Sequence, residues 1–436
     1  MIKHQTRIIL AGMLGNLIEA FDMTLCGLLS IYLAKHLTGS TTTGLLVVFF
    51  TFFAGYLARP IGAVTLGIMS DAYGRKITLA VSILSMGIAT ALIGLIPPNS
   101  SIGIASIIIL LILRIIQSFS CGAEYLNTSA YLIENAAPNR KGYTGSWAAF
   151  GTMSGKLIAS VVVLATVYIA QGYPEFEWIV WRLPFLIALL GSAIGLYIRV
   201  RIPESLEYVV YYSAHPKPKL SNLVNQSLEF IRLNKLKSLY VFTLSCLGVT
   251  TTVQIYIYGP TQAHLYKTFS DYQIILANIV SLIVLLTVFP IVGKLSDRIS
   301  REKIVVSACF GFLILSQPFF HLLSYGSYPQ FMLIQCLISI PAAAYYATVP
   351  VMMAEMFPLN LRCTVLSVLY SFAASLAAGL TPLLSLLLIK KTHIASSPSI
   401  LIFFLVACTL SIIGLQFLKH RNQISNSDSA LEPHKT

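Results

Sequence analysis

Two carboxylates stand in an apolar segment that is long enough to cross a membrane. The stretch GNLIEAFDMTLCGLL contains Glu19 and Asp22 inside an apolar run over residues 8–33. At 1.5 Å per residue, Glu19 lies about 17 Å from the start of this run and Asp22 about 21 Å. An ionisable group at such depth costs about 2.5–3.5 kcal/mol and typically serves a proton relay or a substrate pathway. The two acids therefore predict the lining of a cavity.

A guanidinium in the fourth apolar segment is the natural partner of these acids. Arg114 begins a polar stripe at helical spacing that includes Gln117 and Glu124. Because arginine stays charged, a buried arginine needs a carboxylate. We predict that Arg114 pairs with Asp22 or Glu19 and that this acid carries a coupling proton. A nearby cation favours the ionised acid, so moving Arg114 away would load the proton. The residues alone leave open which acid carries it.

Lys156 lies in the middle of the fifth apolar segment, after GTMSG. Its ammonium has two possible partners: a fixed acid, Glu19 or Glu124, or the carboxylate of a substrate. Both interpretations remain open. Further polar side chains interrupt the apolar segments of the second half, where Gly259 and Pro260 predict a helix break. The candidate substrate contacts are Lys156, Gln117, Glu124, Tyr256, Gln254 and Tyr345. Tyrosines at the membrane surface look the same in sequence.

The composition excludes an ordinary soluble protein. Of 436 residues, 56% are hydrophobic and 10% are charged, against about 25% charged in a soluble domain. The net charge of +13 does not indicate nucleic-acid binding, because the charges sit in short loops and not in a basic domain. The scattered cysteines have no CxxC spacing and predict neither a metal site nor disulfides. Without a motif typical of an enzyme, we expect no catalysis, metal or cofactor.

Apolar runs of about 20 residues predict transmembrane helices. With both termini in the cytoplasm, 21 of the 29 basic residues face inward and five face outward, as the positive-inside rule requires. The predicted domains are a six-helix bundle at 1–201, a cytoplasmic loop at 202–237, a second six-helix bundle at 238–418 and a tail at 419–436. The twelve spans are 8–33, 44–69, 78–97, 102–122, 145–170, 182–201, 238–262, 272–293, 304–324, 329–353, 363–389 and 398–418.

The two halves repeat one another. GIMSDAYGRK at 67–76 matches GKLSDRISREK at 293–303 with an offset of 226 residues, and ENAAPNRKG resembles EMFPLNLRC. A duplicated six-helix unit is an architecture of secondary transporters. We interpret the charged residues of these loops as latches that hold the cytoplasmic side shut, and place Arg59 of ARPIG in the same cytoplasmic half. The latch residues are Asp71, Arg75, Glu134, Arg140, Asp297, Arg301, Glu355 and Arg362.

The loop GIMSDAYGRK resembles the G-x-x-x-D-x-x-G-R-K signature of the major facilitator superfamily, and RIIQS resembles its R-x-x-Q-G signature. GNLIEAFD, CGAEYLNTSAYLIENAAPNRKG and WRLPFLIALLGSAIGLYIRVRIPES resemble the metabolite:proton symporter branch, which includes proline/betaine, α-ketoglutarate, citrate and shikimate carriers. Ala20, Ser118 and Ser300 depart from these patterns. The resemblance implies an all-α major facilitator fold. Similarity to sugar–proton porters, where an acid of helix one pairs with an arginine of helix four, favours Asp22 over Glu19.

The expected function is proton-coupled import of a small carboxylate or zwitterion, such as an organic acid, proline or betaine, by a multi-pass protein of the cell (cytoplasmic or inner) membrane. We expect a monomer in the lipid bilayer, with a solute and protons as its partners and the proton gradient as its energy source. Two alternatives stay open: an exporter of a small metabolite or siderophore, and a membrane sensor. The fifth segment has no proline, which weakens the export hypothesis.

Overall fold

The fold is known from a computed structural model. The described residues are 2–39, 42–73, 75–122, 128–129, 132–133, 136–137, 139–201, 228–266, 269–357 and 359–430. Within these ranges all regular structure is helical.

Nine helices make up the described part of the N-terminal half. The bend of 56° between the first two turns the first predicted span into a broken helix. A short 3₁₀ turn at Pro174–Phe176 precedes the eighth helix. The helices are α1 (Ile2–Leu28), α2 (Ser30–Thr38), α3 (Thr42–Tyr73), α4 (Arg75–Gly94), α5 (Asn99–Ile102), α6 (Ala105–Ser120), α7 (Lys141–Gly172), α8 (Glu177–Val180) and α9 (Leu183–Arg201).

The C-terminal half continues with longer helices. Capping boxes begin two of them: Ser270 with Gln273, and Ser327 with Gln330. These caps satisfy backbone N–H groups that a helix start leaves without partners. The helices are α10 (Lys235–Val253), α11 (Gly259–Tyr266), α12 (Asp271–Leu295), α13 (Arg301–Tyr325), α14 (Tyr328–Glu355), α15 (Leu359–Thr392) and α16 (Ser399–Ala430).

A π-helical turn at Gln254–Tyr258 joins α10 to α11. The helix break expected at Gly259 and Pro260 is thus a change of helix type just before them, and the chain remains helical through both residues. π-Turns of this kind often occur at functional sites.

The helices agree in position with all twelve predicted spans. By length and composition, the described residues contain nine helices that can cross a membrane, and a tenth if the bent pair α1–α2 is one span. The predicted spans 78–97 and 102–122 coincide with α4 and α6, whose apolar parts, Ala80–Gly94 and Ala105–Ser120, are shorter. Several helices also extend beyond the predicted ends: α1 begins at Ile2 and α3 continues to Tyr73.

The two halves pack together through a few helix pairs. Helix α7 of the first half packs along α12 and α14 of the second, and α3 packs along α15. Within the first half, α1 packs on α7 and α3 packs on α6. These contacts bring α1, α3 and α7 to the boundary between the halves, opposite α14 and α15.

Glycines allow the close approach of α3 and α6. A Cβ atom on Gly62 would lie 1.9 Å from the carbonyl oxygen of Phe119, and one on Gly122 would lie 2.2 Å from the backbone nitrogen of Ala63. Backbone atoms cannot give way as a flexible side chain can. Small residues at these two positions therefore fix the distance between the helices, as is usual in membrane proteins.

We expect Gly62→Ala to destabilise the protein. Overpacking a tight contact costs about 1–3 kcal/mol, and here the added methyl group meets backbone. Thermal unfolding of the purified protein in detergent measures the effect. Gly191→Ala is the matched control, because a Cβ atom there meets nothing within 4 Å. Equal unfolding temperatures of the two variants would contradict the packing described here.

Candidate functional site

A cavity of about 130 Å³ lies between the two halves. Helices α1, α3 and α7 line it from the first half, and α10, α14 and α15 line it from the second. The polar side chains of its wall are Asn16, Glu19, Thr24, Tyr56, Arg59, Thr152, Lys156, Ser245, Thr252, Tyr345, Tyr346 and Tyr370. A concave site with a few convergent polar groups is the usual form of a small-molecule site.

An ion pair joins α1 to α3 in the cavity wall. The guanidinium of Arg59 donates a hydrogen bond to the carboxylate of Glu19, and a further one, at 3.3 Å, to the carbonyl oxygen of Cys121. Glu19 is 6% exposed and Arg59 is 7% exposed. Breaking a buried pair of this kind leaves a charge without compensation, so Glu19 and Arg59 stabilise each other in the cavity wall.

Lys156 faces the same cavity from α7, and its side chain is 8% exposed. Glu19 attracts its charge and Arg59 repels it. Among the described residues, however, the ammonium has neither an ion pair nor a hydrogen bond. Arg59 engages the acid of the cavity wall, and Lys156 remains as a cation aimed into the cavity.

Four tyrosines surround the charged groups. Tyr56 comes from α3, Tyr345 and Tyr346 from α14, and Tyr370 from α15. The hydroxyl group of Tyr345 donates to the carbonyl oxygen of Leu244 at 2.7 Å, and that of Tyr346 lies 2.9 Å from the hydroxyl of Thr251. These bonds fix the two rings of α14. Aromatic faces attract alkylammonium groups, so the wall offers contacts for a cation as well as for a carboxylate.

Arg114 and Asp22 belong to a separate buried network. The guanidinium of Arg114 donates to the amide oxygen of Gln117 at 2.6 Å and lies 4.3 Å from the centre of the Phe52 ring. The Gln117 amide donates to the hydroxyl of Thr90 at 2.7 Å, and this hydroxyl lies 3.3 Å from a carboxylate oxygen of Asp22. Gln117 and Thr90 thus link Arg114 to Asp22.

This network lies behind the cavity wall, since Asp22, Arg114 and Gln117 are not among the described residues that line the cavity. Asp22 and Gln117 are fully buried, and Arg114 is 1% exposed. Of the two acids of α1, Glu19 is therefore the one that a solute in the cavity can approach. The coupling roles of Asp22 and Arg114 remain predictions.

Tyr345 lines the cavity as predicted, but two other predicted substrate contacts of the second half do not. The hydroxyl of Tyr256 bonds with that of Ser339 at 2.8 Å, and the amide of Gln254 donates to the carbonyl oxygen of Pro398 at 2.9 Å. Both side chains are fully buried inside the second half. The helical segment Lys235–Tyr266 that contains both residues is mostly buried. Because polar side chains can lie on most of its faces, their polarity does not show which of them face the cavity.

At the predicted cytoplasmic side, Asp297 connects the halves. Its carboxylate accepts hydrogen bonds from the backbone N–H groups of Gly142, at 2.6 Å, and Tyr143, at 3.0 Å. These groups begin α7, and a helix N-terminus attracts negative charge. A Cβ atom on Gly142 would lie 2.1 Å from the hydroxyl oxygen of Ser296, so only glycine allows this approach.

The remaining latch candidates are distributed differently. Arg301 forms an ion pair with Glu355 inside the second half, between α13 and α14, and Arg140 is exposed just before α7. Other candidates fall outside the described part of the chain. These are the side chains of Asp71, Arg75 and Arg362, and the whole of Glu124 and Glu134.

Arg59 is the site residue whose partner the sequence does not predict. The sequence places it only in the cytoplasmic half, and in the structure it pairs with Glu19 in the cavity wall. A signal was available, because Arg59 lies fourteen residues before Tyr73, the end of α3. That spacing corresponds to about 21 Å, a depth similar to that of Glu19.

The fold and the cavity define a membrane transporter. The chain matches the model of the Major Facilitator Superfamily over residues 12–324 and 244–434 and belongs to that family, whose members are transporters and not enzymes. The xylose transporter XylE from E. coli, in a partially occluded inward-open conformation, has a similar fold. It superposes with a TM-score of 0.73 at 17% identity, covering 94% of this chain and 97% of that one.

The curated relatives of this chain are named as carriers of small solutes. The proline/betaine transporter of Escherichia coli K12 is 30% identical over 422 residues, which cover 93% of this chain and 81% of that one. The glycine betaine/proline/ectoine/pipecolic acid transporter OusA of Dickeya dadantii is 31% identical over 418 residues, with coverages of 93% and 81%. The ectoine/proline transporter ProP of Corynebacterium glutamicum is 29% identical, with coverages of 94% and 83%.

We expect Arg59→Met to destabilise the protein by about 3–5 kcal/mol, because it leaves the carboxylate of Glu19 buried without its cation. Adding Glu19→Gln should recover most of this loss. Thermal unfolding of the wild type, both single variants and the double variant forms a double-mutant cycle. This cycle gives the interaction free energy between the two side chains. Arg232→Met, at an exposed position, is the control. Additive effects of the two changes would contradict a direct ion pair.

Asp297→Asn should weaken the contact between the halves, because a neutral amide loses the attraction to the start of α7. A charge at a helix N-terminus contributes about 0.3–1 kcal/mol, or roughly a two- to fivefold change in population. Spin labels at the exposed positions Arg140 and Lys303 report the separation of the halves. The label distances should lengthen in Asp297→Asn and stay unchanged in Arg298→Ala. Identical distributions in both variants would exclude a latch.

Proposed function

We propose that this protein imports a small zwitterionic or carboxylate solute together with protons, by alternating access of the cavity to the two sides of the cell membrane. In this proposal twelve helices cross the membrane, both termini are cytoplasmic and the monomer is the working unit. The observation that carries the proposal is the ammonium of Lys156 in a cavity between the two halves, where it has no ion pair or hydrogen bond with any residue that the structure describes.

The charges of the cavity favour a solute with one carboxylate. Arg59 and protonated Lys156 contribute two positive charges and Glu19 contributes one negative charge, which leaves one positive charge. Arg59 is engaged by Glu19, so Lys156 is the group that would receive the carboxylate. A single carboxylate neutralises Lys156, whereas a di- or tricarboxylate would bring excess negative charge into a buried space. The positive charge of a zwitterion is then left for the rest of the cavity wall.

The tyrosines favour a cationic group on the same solute. Tyr56, Tyr345, Tyr346 and Tyr370 supply ring faces and hydroxyls in the wall that also contains Lys156. A secondary or quaternary ammonium, or an amidinium, can contact such rings while the carboxylate lies against Lys156. Proline, glycine betaine and ectoine each combine the two groups, and the relatives' names contain all three solutes.

Transport in proteoliposomes tests the proposal. We expect accumulation of labelled proline, glycine betaine or ectoine when the outer solution is more acidic than the lumen, and its collapse after a protonophore. Accumulation of none of them would refute the proposed function. Loss of preloaded solute driven by the opposite gradient, without uptake, would indicate an exporter.

Lys156→Gln should weaken binding of these solutes about ten- to over a hundredfold. A lost hydrogen bond to a charged group corresponds to about 1.5–3 kcal/mol. Direct binding to purified protein measures the effect, and Lys237→Gln, at an exposed position, is the matched control. Because the wild-type site balances a single carboxylate, citrate should bind more weakly than proline. Equal affinities of wild type and Lys156→Gln would rule out the anchoring role.

A further inference from the structure

Lys156 differs from the other charged groups around the cavity because its charge has no fixed counter-ion among the described residues. Glu19 is taken by Arg59 through a hydrogen-bonded ion pair. Lys156 is largely buried, and its charge is attracted by Glu19 and repelled by Arg59. Keeping an ammonium charged in a desolvated space costs free energy unless a negative group lies beside it.

We propose that Lys156 carries the coupling proton, and that the solute's carboxylate binds together with this proton as an ammonium–carboxylate pair. The inference rests on the proposed function. In the empty cavity the amine can be neutral. When the solute binds, the amine of Lys156 takes up one proton from solution and becomes an ammonium. The solute's carboxylate stays ionised and pairs with this ammonium.

The binding of the proton and the binding of the solute are thermodynamically linked. The attraction between Lys156 and the carboxylate exists only when the lysine is charged, so each bound partner favours the other by the same factor. On the acidic side of the membrane the proton and the solute load together. On the alkaline side they leave together, and neither is carried alone.

The other titratable groups that face Lys156 do not offer this linkage. From α1 there is Glu19, and from α3 there are Arg59 and Tyr56. Helices α14 and α15 contribute tyrosines, and α10 contributes hydroxyl groups such as those of Ser245 and Thr252. Protonating Glu19 would break its pair with Arg59 and leave this guanidinium buried without a counter-ion before the solute arrives. Arg59 itself cannot release a proton.

The test compares Lys156→Arg with the wild type. Both carry a cation at this position, but arginine cannot lose its proton. We expect the wild-type dissociation constant for glycine betaine to rise up to tenfold per pH unit on the alkaline side of the lysine's titration and to level off in acid. In Lys156→Arg, binding should persist without this pH dependence. A pH gradient should no longer drive accumulation there, while solute exchange continues.

A second measurement covers the case that Lys156→Arg does not fold. Binding of glycine betaine to wild-type protein in weakly buffered alkaline solution should take up about one proton per solute, as reported by a pH indicator. Lys156→Gln, measured at glycine betaine concentrations that saturate it, should lose this uptake under the proposal and keep it if Glu19 carries the proton. Glycine betaine itself stays unprotonated at its quaternary nitrogen, so the proton must reside on the protein.

The outcomes separate the two claims. A wild-type pH dependence in Lys156→Arg, or proton uptake retained in Lys156→Gln, would overturn the lysine inference and leave a proton-coupled carrier with another proton site. Failure of proline, glycine betaine and ectoine to bind the wild type at any pH would overturn the proposed function, and this inference with it.

Discussion

The ion pair between Glu19 and Arg59 determines what the rest of the cavity can do. A carboxylate and a guanidinium buried between helices tolerate one another only as a pair, and this pair fixes α1 against α3 beside the boundary of the two halves. Because the acid is already engaged, Lys156 on α7 contributes the net positive charge. Glu19 can neutralise only one of the two cations, and it pairs with Arg59. The charge balance, the solute class and the proposed proton site all follow from this pairing.

The position of the cavity at the boundary between the halves makes it a candidate site for transport. The cavity wall takes its charges from α1, α3 and α7 and most of its tyrosines from α14 and α15, so a bound solute contacts both halves at once. On the predicted cytoplasmic side, Asp297 binds the start of α7, the helix that also carries Lys156. The proposed latch contact and the proposed solute anchor therefore share α7, so that a movement between the halves can reach the site.

Sequence patterns predicted the helices far better than the partners of the side chains. Apolar runs and the 226-residue repeat determine where helices form, because each span must satisfy its own backbone in lipid. Depth alone predicted that Glu19 and Asp22 both line a cavity; Glu19 does, whereas Asp22 is buried behind the wall. Pairing depends on the rotation and tilt of several helices, which periodicity does not specify. Thus the pairing of Arg59 with Glu19 was not predicted, and Tyr256 and Gln254 were expected at the substrate although they bond within the second half.

The central claim is that Lys156 is the carboxylate anchor of a site between the two halves. The most direct measurement is a structure of the protein with glycine betaine bound, in which the distance from the solute carboxylate to Nζ of Lys156 can be read. The account predicts a hydrogen-bonded contact of about 2.7–2.9 Å, with the Glu19–Arg59 pair intact and tyrosine rings around the quaternary ammonium. A carboxylate bound to Arg59 in place of Glu19, or a solute bound away from α7, would contradict it.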